Sequence, residues 1–383
     1  MQGFIFQTTP SVLVEAGASA KLGSLFRDLG CRAVLLVSDP GILQAGLLDR
    51  ALAGLRDAGI GVTLFTDVKA DPPEAVIEAA VEAARRAGID GVAGLGGGSS
   101  LDVAKLVALL TPGGQSLAET YGVGLAKGPR LPLILAPTTA GTGSEVTPIA
   151  IVTTRSGEKK GVVSPPLLPD WAVLDPDLTL GLPAHVSAAT GIDAMVHAIE
   201  AYTSKQRKNP VSDALAREAL RLLAGNIHEV CRNGRNRDAR SAMLLGSMLA
   251  GMAFANAPVA AVHALAYPIG AQFHVPHGLS NAMVLPAVIR FNAPAAENLY
   301  AELAAIIAPS ARGSAGEQAN ALARALSELA PSLGLDASLR SAGITHDHLP
   351  RLAEDAMKQT RLLVNNPRAL TYDDALAIYG ESL

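Results

Sequence analysis

The chain has 383 residues, of which 49% are hydrophobic and 17% charged, and its formal net charge is −4. This length and composition supply ample material for packed interiors, which excludes an intrinsically disordered protein and makes two domains the natural expectation. The slightly acidic balance excludes the basic surface on which nucleic-acid binding depends.

The N-terminal stretch and the cysteines indicate a cytoplasmic protein. MQGFIFQTTP lacks the charged start and the long apolar core of a signal peptide. Cys31 and Cys231 lie far apart in the sequence, so two free thiols in a reducing compartment are expected and a disulfide framework is not supported.

In the first half of the chain, predicted strands alternate with predicted helices. Short apolar runs predict strands at 31–39, 61–68, 88–95 and 131–137. Segments with helical periodicity predict helices at 42–59, 71–88 and 101–110. Strands separated by helices predict a parallel sheet that is covered on both faces.

Two short loops follow strands in this half, and both are rich in small residues. GLGGGSS, residues 94–100, lies between a strand and a helix, where glycines let backbone N–H groups approach a phosphate. It lacks the third glycine of the dinucleotide fingerprint and the lysine of a Walker loop, so by itself it also fits a tight turn. TTAGTGSEVT, residues 138–147, adds several hydroxyls after a later strand, and two such loops together predict a nucleotide crevice.

Asp39 ends the 31–39 strand and has two possible roles. Its carboxylate would accept hydrogen bonds from a ribose 2′-hydroxyl and repel a 2′-phosphate, which favours NAD over NADP. An aspartate that initiates the turn at Pro40 fits the local sequence equally well.

Near residue 183 the pattern changes to helices alone. Helical periodicity covers 191–203, 211–232, 238–256, 279–292, 295–308, 315–331, 349–360 and 372–382. We therefore predict an α/β nucleotide-binding domain with a parallel sheet over residues 1–183 and an all-α bundle domain over residues 184–383.

The residues from 241 to 289 include no Asp, Glu, Lys or Arg. Residues 241–260 have the length and hydropathy of a membrane span. Two glycines, Asn256 and Pro258 interrupt them, and three histidines follow. We therefore expect a helix buried inside a soluble bundle and no membrane contact.

The helix predicted at 191–203 aligns polar side chains on one face. Asp193, His197 and Glu200 are spaced by four and three residues. The uncharged stretch adds three more imidazoles, those of His263, His274 and His277. One carboxylate with two or three imidazoles suits Fe²⁺ or Zn²⁺, although a solvated face or hydrogen-bonded core histidines explain the separate residues about as well.

Five segments taken together resemble a known family. In order, they are GGGSSLDVAK, PTTAGTGSEVT, LLPDWAVLDPDLT, TGIDAMVHAIEAYTS and VHALAYPIGAQFHVPHGLSNAMVLP. Over nearly its whole length the chain resembles the iron-containing, or group III, alcohol dehydrogenases, whose fold is shared with dehydroquinate synthase. The resemblance implies NAD and Fe²⁺ as cofactors, with NADP and Zn²⁺ as the less expected choices, and a metal and a nicotinamide that meet between the two domains.

The resemblance also assigns roles to residues of this chain. The residues that match the family's metal ligands are Asp193, His197, His263 and His277. Those that match its two cofactor loops are Gly96, Gly97, Gly98, Ser99, Ser100, Thr138, Thr139, Thr142 and Ser144. Asp39 matches the ribose position, and Lys160 matches the lysine before an S-P-x-L-L-P segment. Glu200 matches a recurrent residue that usually is not a ligand, so a structural role or one behind the ligands is expected.

The sequence departs from the family pattern at two positions. Tyr267 stands where many members have a histidine, and it is a tentative proton relay, although an ordinary tyrosine pKa near 10 makes it a poorer shuttle. Pro258 stands where a glycine is usual. Both departures bear on the substrate more than on the reaction.

The predicted function is a metal-dependent NAD(H) alcohol dehydrogenase or aldehyde reductase that acts on a small alcohol or aldehyde as a homodimer or larger homo-oligomer. The alternatives within the family are a maleylacetate-reductase-like enzyme, a hydroxyacid dehydrogenase and a dehydroquinate-synthase-like lyase. An alternative of another class is a non-catalytic nucleotide-binding or metal-binding protein.

Overall fold

The computed structural model describes residues 3–383, which form two compact units. One unit runs from Gln7 to Gly181, and the other combines residues 182–383 with residues 3–6. The predicted boundary between residues 183 and 184 lies two residues from this division. Residues 3–6 form no regular element, and hydrophobic patterning does not reveal which unit such a segment contacts.

The first unit contains the nine strands of the described chain and the helices that lie between them in the sequence. Its strands are β1 (Ser11–Val14), β2 (Ala33–Val37), β3 (Gly61–Phe65), β4 (Gly91–Gly96), β5 (Gly122–Val123), β6 (Leu133–Pro137), β7 (Ile149–Thr153), β8 (Lys159–Val163) and β9 (Trp171–Leu174). Its helices are α1 (Leu22–Asp28), α2 (Pro40–Gln44), α3 (Asp49–Asp57), α4 (Glu74–Ala87), α5 (Gly98–Leu110) and α6 (Leu117–Thr120).

The main sheet of this unit is parallel and is packed on both faces. Its strand order is β1-β9-β6-β4-β2-β3, and every neighbouring pair is parallel. Successive residues of β2 point to opposite faces. Val34 and Leu36 join an apolar core with residues of α1 and α3, whereas Leu35 and Val37 join a second core with residues of α4 and α5. The predicted parallel sheet covered on both faces is confirmed.

Two features of this unit differ from the sequence prediction. The single helix predicted over 42–59 is divided into α2 and α3, because the chain turns at Gly46, where φ is +69°. A small second sheet of order β5-β8-β7 was not predicted. Its strands are short and only partly buried, so they lack the continuous apolar run that marks the central strands.

In the described part of the second unit, the regular elements are helices. They are α7 (Ala184–Thr203), α8 (Pro210–Arg232), α9 (Arg237–Asn256), α10 (Ala261–Phe273), α11 (His277–Ile307), α12 (Ala315–Ser332), α13 (Leu349–Met357), α14 (Thr360–Leu363) and α15 (Tyr372–Ser382). The predicted fold class, an α/β domain followed by a helical domain, is confirmed.

Helix boundaries depart from prediction where proline and glycine interrupt the pattern. α7 begins at Ala184, directly after Pro183, whereas the predicted helix begins only at residue 191. α10 was not predicted as a helix, because it contains Pro268 and Gly270. The two helices predicted at 279–292 and 295–308 are present within α11, where the non-helical backbone of Ala296 makes a kink between them.

In residues 3–383 no single helix passes the test of length and hydropathy for a membrane span. The consecutive helices α9 and α10 pass it only together, across a bend of 107°. As predicted, α9 packs within the helical unit, against α7 and α8, and most of its apolar side chains are buried.

Candidate functional site

α7 carries two of the predicted metal ligands on a buried face. Asp193 and His197 lie one turn apart, and their exposed fractions are only 2% and 5%. The whole segment from Gly191 to Thr203 is buried. The polar face of this helix is therefore an internal one, which excludes the alternative of a solvated surface.

α10 and α11 supply the other two predicted ligands. His263 lies in the first turn of α10, and His277 is the first residue of α11. Residue 278 must be glycine, because a Cβ atom there would lie 2.1 Å from the carbonyl oxygen of Ala189 on α7. One donor atom from each of the four side chains lies within 4.8 Å of every other, so the structure brings together Asp193, His197, His263 and His277.

The donor atoms suit a transition-metal ion. The Oδ1 atom of Asp193 is 3.5 Å from Nε2 of His277 and 3.8 Å from Nε2 of His263. Atoms that share one metal at about 2.0–2.2 Å lie about 3–4 Å apart, so the group needs little rearrangement to hold an ion. One carboxylate oxygen with imidazole nitrogens suits Fe²⁺ or Zn²⁺.

Glu200 lies behind His263 and does not join the four ligands. Its Oε2 atom is 2.6 Å from Nδ1 of His263, and its Oε1 atom accepts a hydrogen bond from the backbone N–H of Val262 at 2.6 Å. An Nδ1–H donated to this carboxylate leaves Nε2 of His263 as the lone-pair atom that faces Asp193. Glu200 therefore lies where a residue that supports His263 from behind the predicted ligands is expected, and that role stays a prediction.

Aromatic stacking holds the imidazole of His197, another of the predicted ligands. The His197 ring stacks on Phe254 at a centroid distance of 4.3 Å and on the His263 ring at 4.7 Å, with interplanar angles of 19° and 22°. Stacked neighbours on both sides restrict rotation of the imidazole.

The charges within the cluster shift the pKa values of its members. Burial acts to raise the pKa of Asp193, but the three imidazoles and a hydrogen bond from Asn281 outweigh it and lower that pKa. Burial acts to lower the pKa of His263, and the Glu200 carboxylate outweighs it and raises that pKa. Asp193 is therefore held as the carboxylate, the form in which it can bind a metal.

Among the four residues of the cluster, His277 is the most exposed. The His277 side chain is 36% exposed, whereas those of Asp193 and His263 are 3% and 2% exposed. His274, which was considered among the imidazoles, is exposed, caps the end of α10 in a left-handed conformation and lies outside the cluster.

Tyr267 lies beside His277. Its ring centroid is 5.8 Å from that of His277 and 6.4 Å from that of His263, one turn earlier on α10. Pro258 lies in the link between α9 and α10, where its carbonyl oxygen accepts a hydrogen bond of 2.7 Å from the Ser204 hydroxyl.

In the first unit, the predicted cofactor residues lie at one edge of the main sheet. β4 pairs with both β2 and β6, so the segments that follow these three strands are neighbours at their carboxyl ends. The chain reverses its direction of sheet growth between β2 and β4, and ligands of open α/β sheets bind at such a switch point.

Asp39 initiates the turn into α2, and its predicted contact with the cofactor ribose stays a prediction. Its Oδ1 atom accepts hydrogen bonds from the backbone N–H groups of Gly41 and Ile42, at 3.0 and 3.1 Å, and so caps α2. Its Oδ2 atom accepts a hydrogen bond of 3.3 Å from the Ser100 hydroxyl. The cap fixes the side chain while the second oxygen faces the first glycine loop.

The two loops are packed against each other. A Cβ atom at Gly98 would lie 2.7 Å from Cγ2 of Thr142, so the close approach requires glycine. Gly97 and Gly98 begin α5, where N–H groups and the helix dipole suit a pyrophosphate. Thr139, Thr142 and Ser99 are half-buried, whereas Thr138 and Ser100 are buried.

Lys160 lies on a strand of the small second sheet. It is exposed on β8, where its Nζ atom is 3.7 Å from a carboxylate oxygen of Glu158 and 5.8 Å from the ring centroid of Tyr121. Its predicted contact with the cofactor stays a prediction.

Family models match almost the whole chain. The model of iron-containing alcohol dehydrogenases matches residues 9–176, and the model of the C-terminal domain of the Fe-containing alcohol dehydrogenase family matches residues 187–383. The chain belongs to the iron-containing alcohol dehydrogenase family. The predicted family and the predicted class of enzyme, an oxidoreductase of the alcohol dehydrogenase type, are thereby confirmed.

Individual relatives cover nearly the full length of this alcohol dehydrogenase or all of it. It is 41% identical to long-chain-alcohol dehydrogenase 1 of Geobacillus thermodenitrificans, over 95% of this chain and 92% of the relative. A crystal structure of 1,3-propanediol oxidoreductase has a TM-score of 0.96 at 34% identity and covers 100% of both chains. The sulfoacetaldehyde reductase of Bifidobacterium kashiwanohense, solved with NAD⁺, has a TM-score of 0.88 at 28% identity and covers 100% of this chain and 99% of that one. At the level of the family, the predicted iron and NAD cofactors are confirmed.

Ser144 of the dehydrogenase was predicted to offer its hydroxyl to the cofactor, but the structure gives that hydroxyl internal partners. It donates to Oδ1 of Asp102 at 2.6 Å and accepts from Nζ of Lys105 at 2.8 Å, and Ser144 is only 4% exposed. Lys105 also donates to the Thr147 hydroxyl and to the carbonyl oxygen of Ile149. The hydroxyl therefore supports the loop from within.

Sequence reasoning missed two residues that the structure places at these sites. Lys105 follows Asp102 by three residues on α5, and this spacing, which lets an aspartate and a lysine pair on one helix face, was the available sequence signal. Asn281 follows His277 by four residues on α11, so its side chain lies on the ligand-bearing face. Its Nδ2 atom is 2.6 Å from Oδ1 of Asp193.

Proposed function

We propose that this protein is a metal-dependent NAD(H) alcohol dehydrogenase that also reduces aldehydes, with Asp193, His197, His263 and His277 as its metal ligands. The observation that carries the proposal is the set of four donor atoms within 4.8 Å of one another. Among these four residues, His277 is the most exposed.

Fe²⁺ is the proposed metal, and Zn²⁺ is the alternative. The donor set of one carboxylate and three imidazoles fits either ion. When bound, the metal would polarise the substrate oxygen as a Lewis acid, and the nicotinamide would accept or deliver the hydride.

The protein's own residues position these groups. Glu200 holds His263 so that Nε2 faces the cluster. Phe254 and His263 hold the His197 ring by stacking. Tyr267 is the proposed proton relay, because its ring lies beside the partly exposed His277 and its phenol both donates and accepts hydrogen bonds.

The proposed cofactor site is the edge of the main sheet in the first unit. Its residues are Asp39, Gly96, Gly97, Gly98, Ser99, Ser100, Thr138, Thr139, Thr142, Ser144 and Lys160, with Ser144 acting from within the loop. The N-terminus of α5 suits the pyrophosphate, and the Asp39 carboxylate favours NAD over NADP.

The proposed substrates are small alcohols and aldehydes. The relatives named above act on long-chain alcohols, 1,3-propanediol and sulfoacetaldehyde, and this range leaves the individual substrate to a panel assay. A homodimer or larger homo-oligomer and a cytoplasmic location stay predictions, which light scattering and cell fractionation test.

The decisive test is metal content and turnover after anaerobic purification. We expect bound metal, NADH oxidation with aldehydes, and loss of both in His263→Ala. His274→Asn is the matched control, because it changes an exposed imidazole outside the cluster to a residue that tolerates its left-handed backbone.

Two outcomes would contradict the proposal in different ways. If His263→Ala kept its metal and its activity, the ligand assignment would be wrong. If the wild-type protein bound metal but turned over no alcohol, aldehyde or 2-oxo acid, the non-catalytic alternative would be favoured.

A further inference from the structure

The helices that carry the proposed metal ligands contain little positive charge. Neither α7 nor α10 contains a lysine or an arginine, and the first one on α11 is Arg290, well after His277. A permanent positive charge beside the ligands would therefore come from another element of the helical unit. Such a charge bears on function, because it would favour an anionic substrate over a neutral one.

Arg361, on α14, lies beside the start of α10. The two helices pack against each other. The Nδ2 atom of Asn365 donates a hydrogen bond to the carbonyl oxygen of Arg361 at 3.1 Å and another to that of Val259 at 2.9 Å. Val259 lies in the link that leads into α10, four residues before His263. The buried Asn365 amide therefore ties the backbone of Arg361 to the segment that carries this ligand.

The charge of Arg361 acts on the ligand cluster. Burial and the Arg361 charge act to lower the pKa of His263, and the carboxylates of Glu200 and Asp193 outweigh them. Among residues 3–383, Arg361 is the basic side chain whose charge acts on this histidine. It is thus the cation that a bound substrate would meet near the metal ligands.

The guanidinium of Arg361 is available to a solute. The residue is exposed, and within residues 3–383 its side chain takes part in no ion pair and no hydrogen bond. By contrast, the guanidinium of Arg290 on α11 is paired with the carboxylate of Glu381. A guanidinium stays charged, and its planar fork binds the oxygens of a carboxylate or a similar oxyanion in pairs.

We propose that Arg361 is a specificity-determining residue, which binds an anionic group at the end of the substrate opposite the reacting oxygen. The preferred substrates are then short aldehydes and alcohols that carry a carboxylate or a sulfonate. The reacting oxygen lies at the metal ligands, and the anionic end meets the guanidinium. This inference rests on the proposed function and narrows its substrate class.

Paired aldehydes test the inference. Succinic semialdehyde and butanal have the same chain length and differ in the carboxylate at one end, and a third aldehyde of similar length that ends in a sulfonate separates the two anions. Arg361→Gln removes the charge, whereas Arg361→Lys keeps the charge without the planar fork. Arg351→Gln is the matched control, because Arg351 is an exposed arginine on α13 whose charge does not act on His263. Circular dichroism and metal content identify any variant that fails to fold or to bind metal.

We expect wild type to prefer an anionic aldehyde over butanal by about tenfold or more in kcat/KM. In Arg361→Gln, the KM for that aldehyde should rise about tenfold to a hundredfold with little change in kcat, because the lost contact is made equally in the ground state and the transition state. The effect on butanal should be much smaller, and Arg361→Lys should keep part of the preference. Arg351→Gln should match wild type with all three aldehydes.

The contrary results are distinct. If wild type reduces butanal as well as it reduces both anionic aldehydes, the enzyme is active but the inference is overturned. Equal losses for butanal and succinic semialdehyde in Arg361→Gln, or a raised KM for NADH with both, would assign Arg361 to the cofactor and overturn it as well. If wild type reduces none of the aldehydes, the proposed function itself fails, and the inference fails with it.

Discussion

At the scale of the residue, the candidate metal centre depends on partners that do not touch the metal. Glu200 fixes the orientation of His263 through Nδ1, and its second oxygen is held by the backbone of Val262. A carboxylate partner both orients an imidazole and increases its basicity as a ligand.

Replacement of Glu200 by glutamine should therefore weaken the site without removing a ligand. A glutamine oxygen still accepts the Nδ1–H bond but carries no charge, so we expect metal affinity to fall about 10-fold to 100-fold. Titration of the metal-free protein with Zn²⁺ measures the change, and Glu328→Gln on the surface of α12 is the control. Unchanged affinity in Glu200→Gln would show that His263 needs no carboxylate partner.

Asp39 allows a test of cofactor choice at a single charge. Asparagine retains the cap on α2, because its Oδ1 atom accepts from the same backbone N–H groups, and it removes the charge that would repel a 2′-phosphate. Asp39→Asn should raise NADPH affinity about tenfold and leave the melting temperature nearly unchanged, since close surface charges interact with about 1 kcal/mol. Fluorescence titration with NADH and NADPH measures both affinities. If Asp39→Asn preferred NADH over NADPH as strongly as wild type does, Asp39 would not determine the choice of cofactor.

At the scale of the element, the second cofactor loop is supported by a buried group of charges. Lys105 on α5 bonds to three residues of the loop and of the chain that follows it, and burial lowers its pKa to about 8. Burial raises the pKa of Glu145, in the same loop, to about 7, although the Lys105 charge opposes this shift. The Oε1 atom of Glu145 has no hydrogen-bond partner among residues 3–383.

The raised pKa of Glu145 makes the stability of this loop depend on pH. Between its ordinary pKa of 4.5 and about 7, the folded chain keeps a proton that the unfolded chain has released. Stability from this group is therefore complete below pH 4.5 and is lost as pH rises through 7. Glu145→Gln cannot ionise, so it should match wild type near pH 5 and exceed it at pH 8, by at most about 3 kcal/mol. Urea unfolding at the two pH values measures the free energy of unfolding of Glu145→Gln and of wild type. If the difference between the two proteins were the same at both pH values, the raised pKa of Glu145 would be refuted.

Strands and helices were predictable from the sequence where a single hydrophobic periodicity, that of a strand or that of a helix, continues without interruption. β4 and β6 are fully buried apolar runs, and β2 is buried except at Ala33. α7 keeps its apolar pattern around Asp193 and His197, so these strands and this helix could be predicted from the sequence. α10 could not, because a helix with an internal proline owes its stability to packing in the bundle. The four metal ligands could be predicted as a set only through the family resemblance, because no local sequence pattern indicates that residues 193 and 263 are neighbours in space. Asn281 was missed because an amide carries no charge pattern.

At the scale of the whole molecule, the two proposed sites lie in different units. All four proposed metal ligands belong to the helical unit, and the proposed cofactor loops belong to the α/β unit. A ligand that binds only the folded form stabilises the elements that hold it, by about 2.7 kcal/mol at a hundredfold excess over its Kd.

Hydrogen exchange should therefore separate the two ligands by region. Zn²⁺ is expected to slow amide exchange in α7, in α10 and at the start of α11, up to about a hundredfold, because opening these helices releases the ion. NADH is expected to slow exchange at residues 94–102 and 138–147. Peptides from α3 and α12 serve as internal references, since neither helix supplies a proposed ligand. Exchange measured with each ligand alone tests the assignment: if Zn²⁺ slowed residues 138–147 while α7 stayed unchanged, the metal would bind elsewhere. If NADH left both loops unprotected, the cofactor site at the edge of the main sheet would be wrong, whatever the result for the metal.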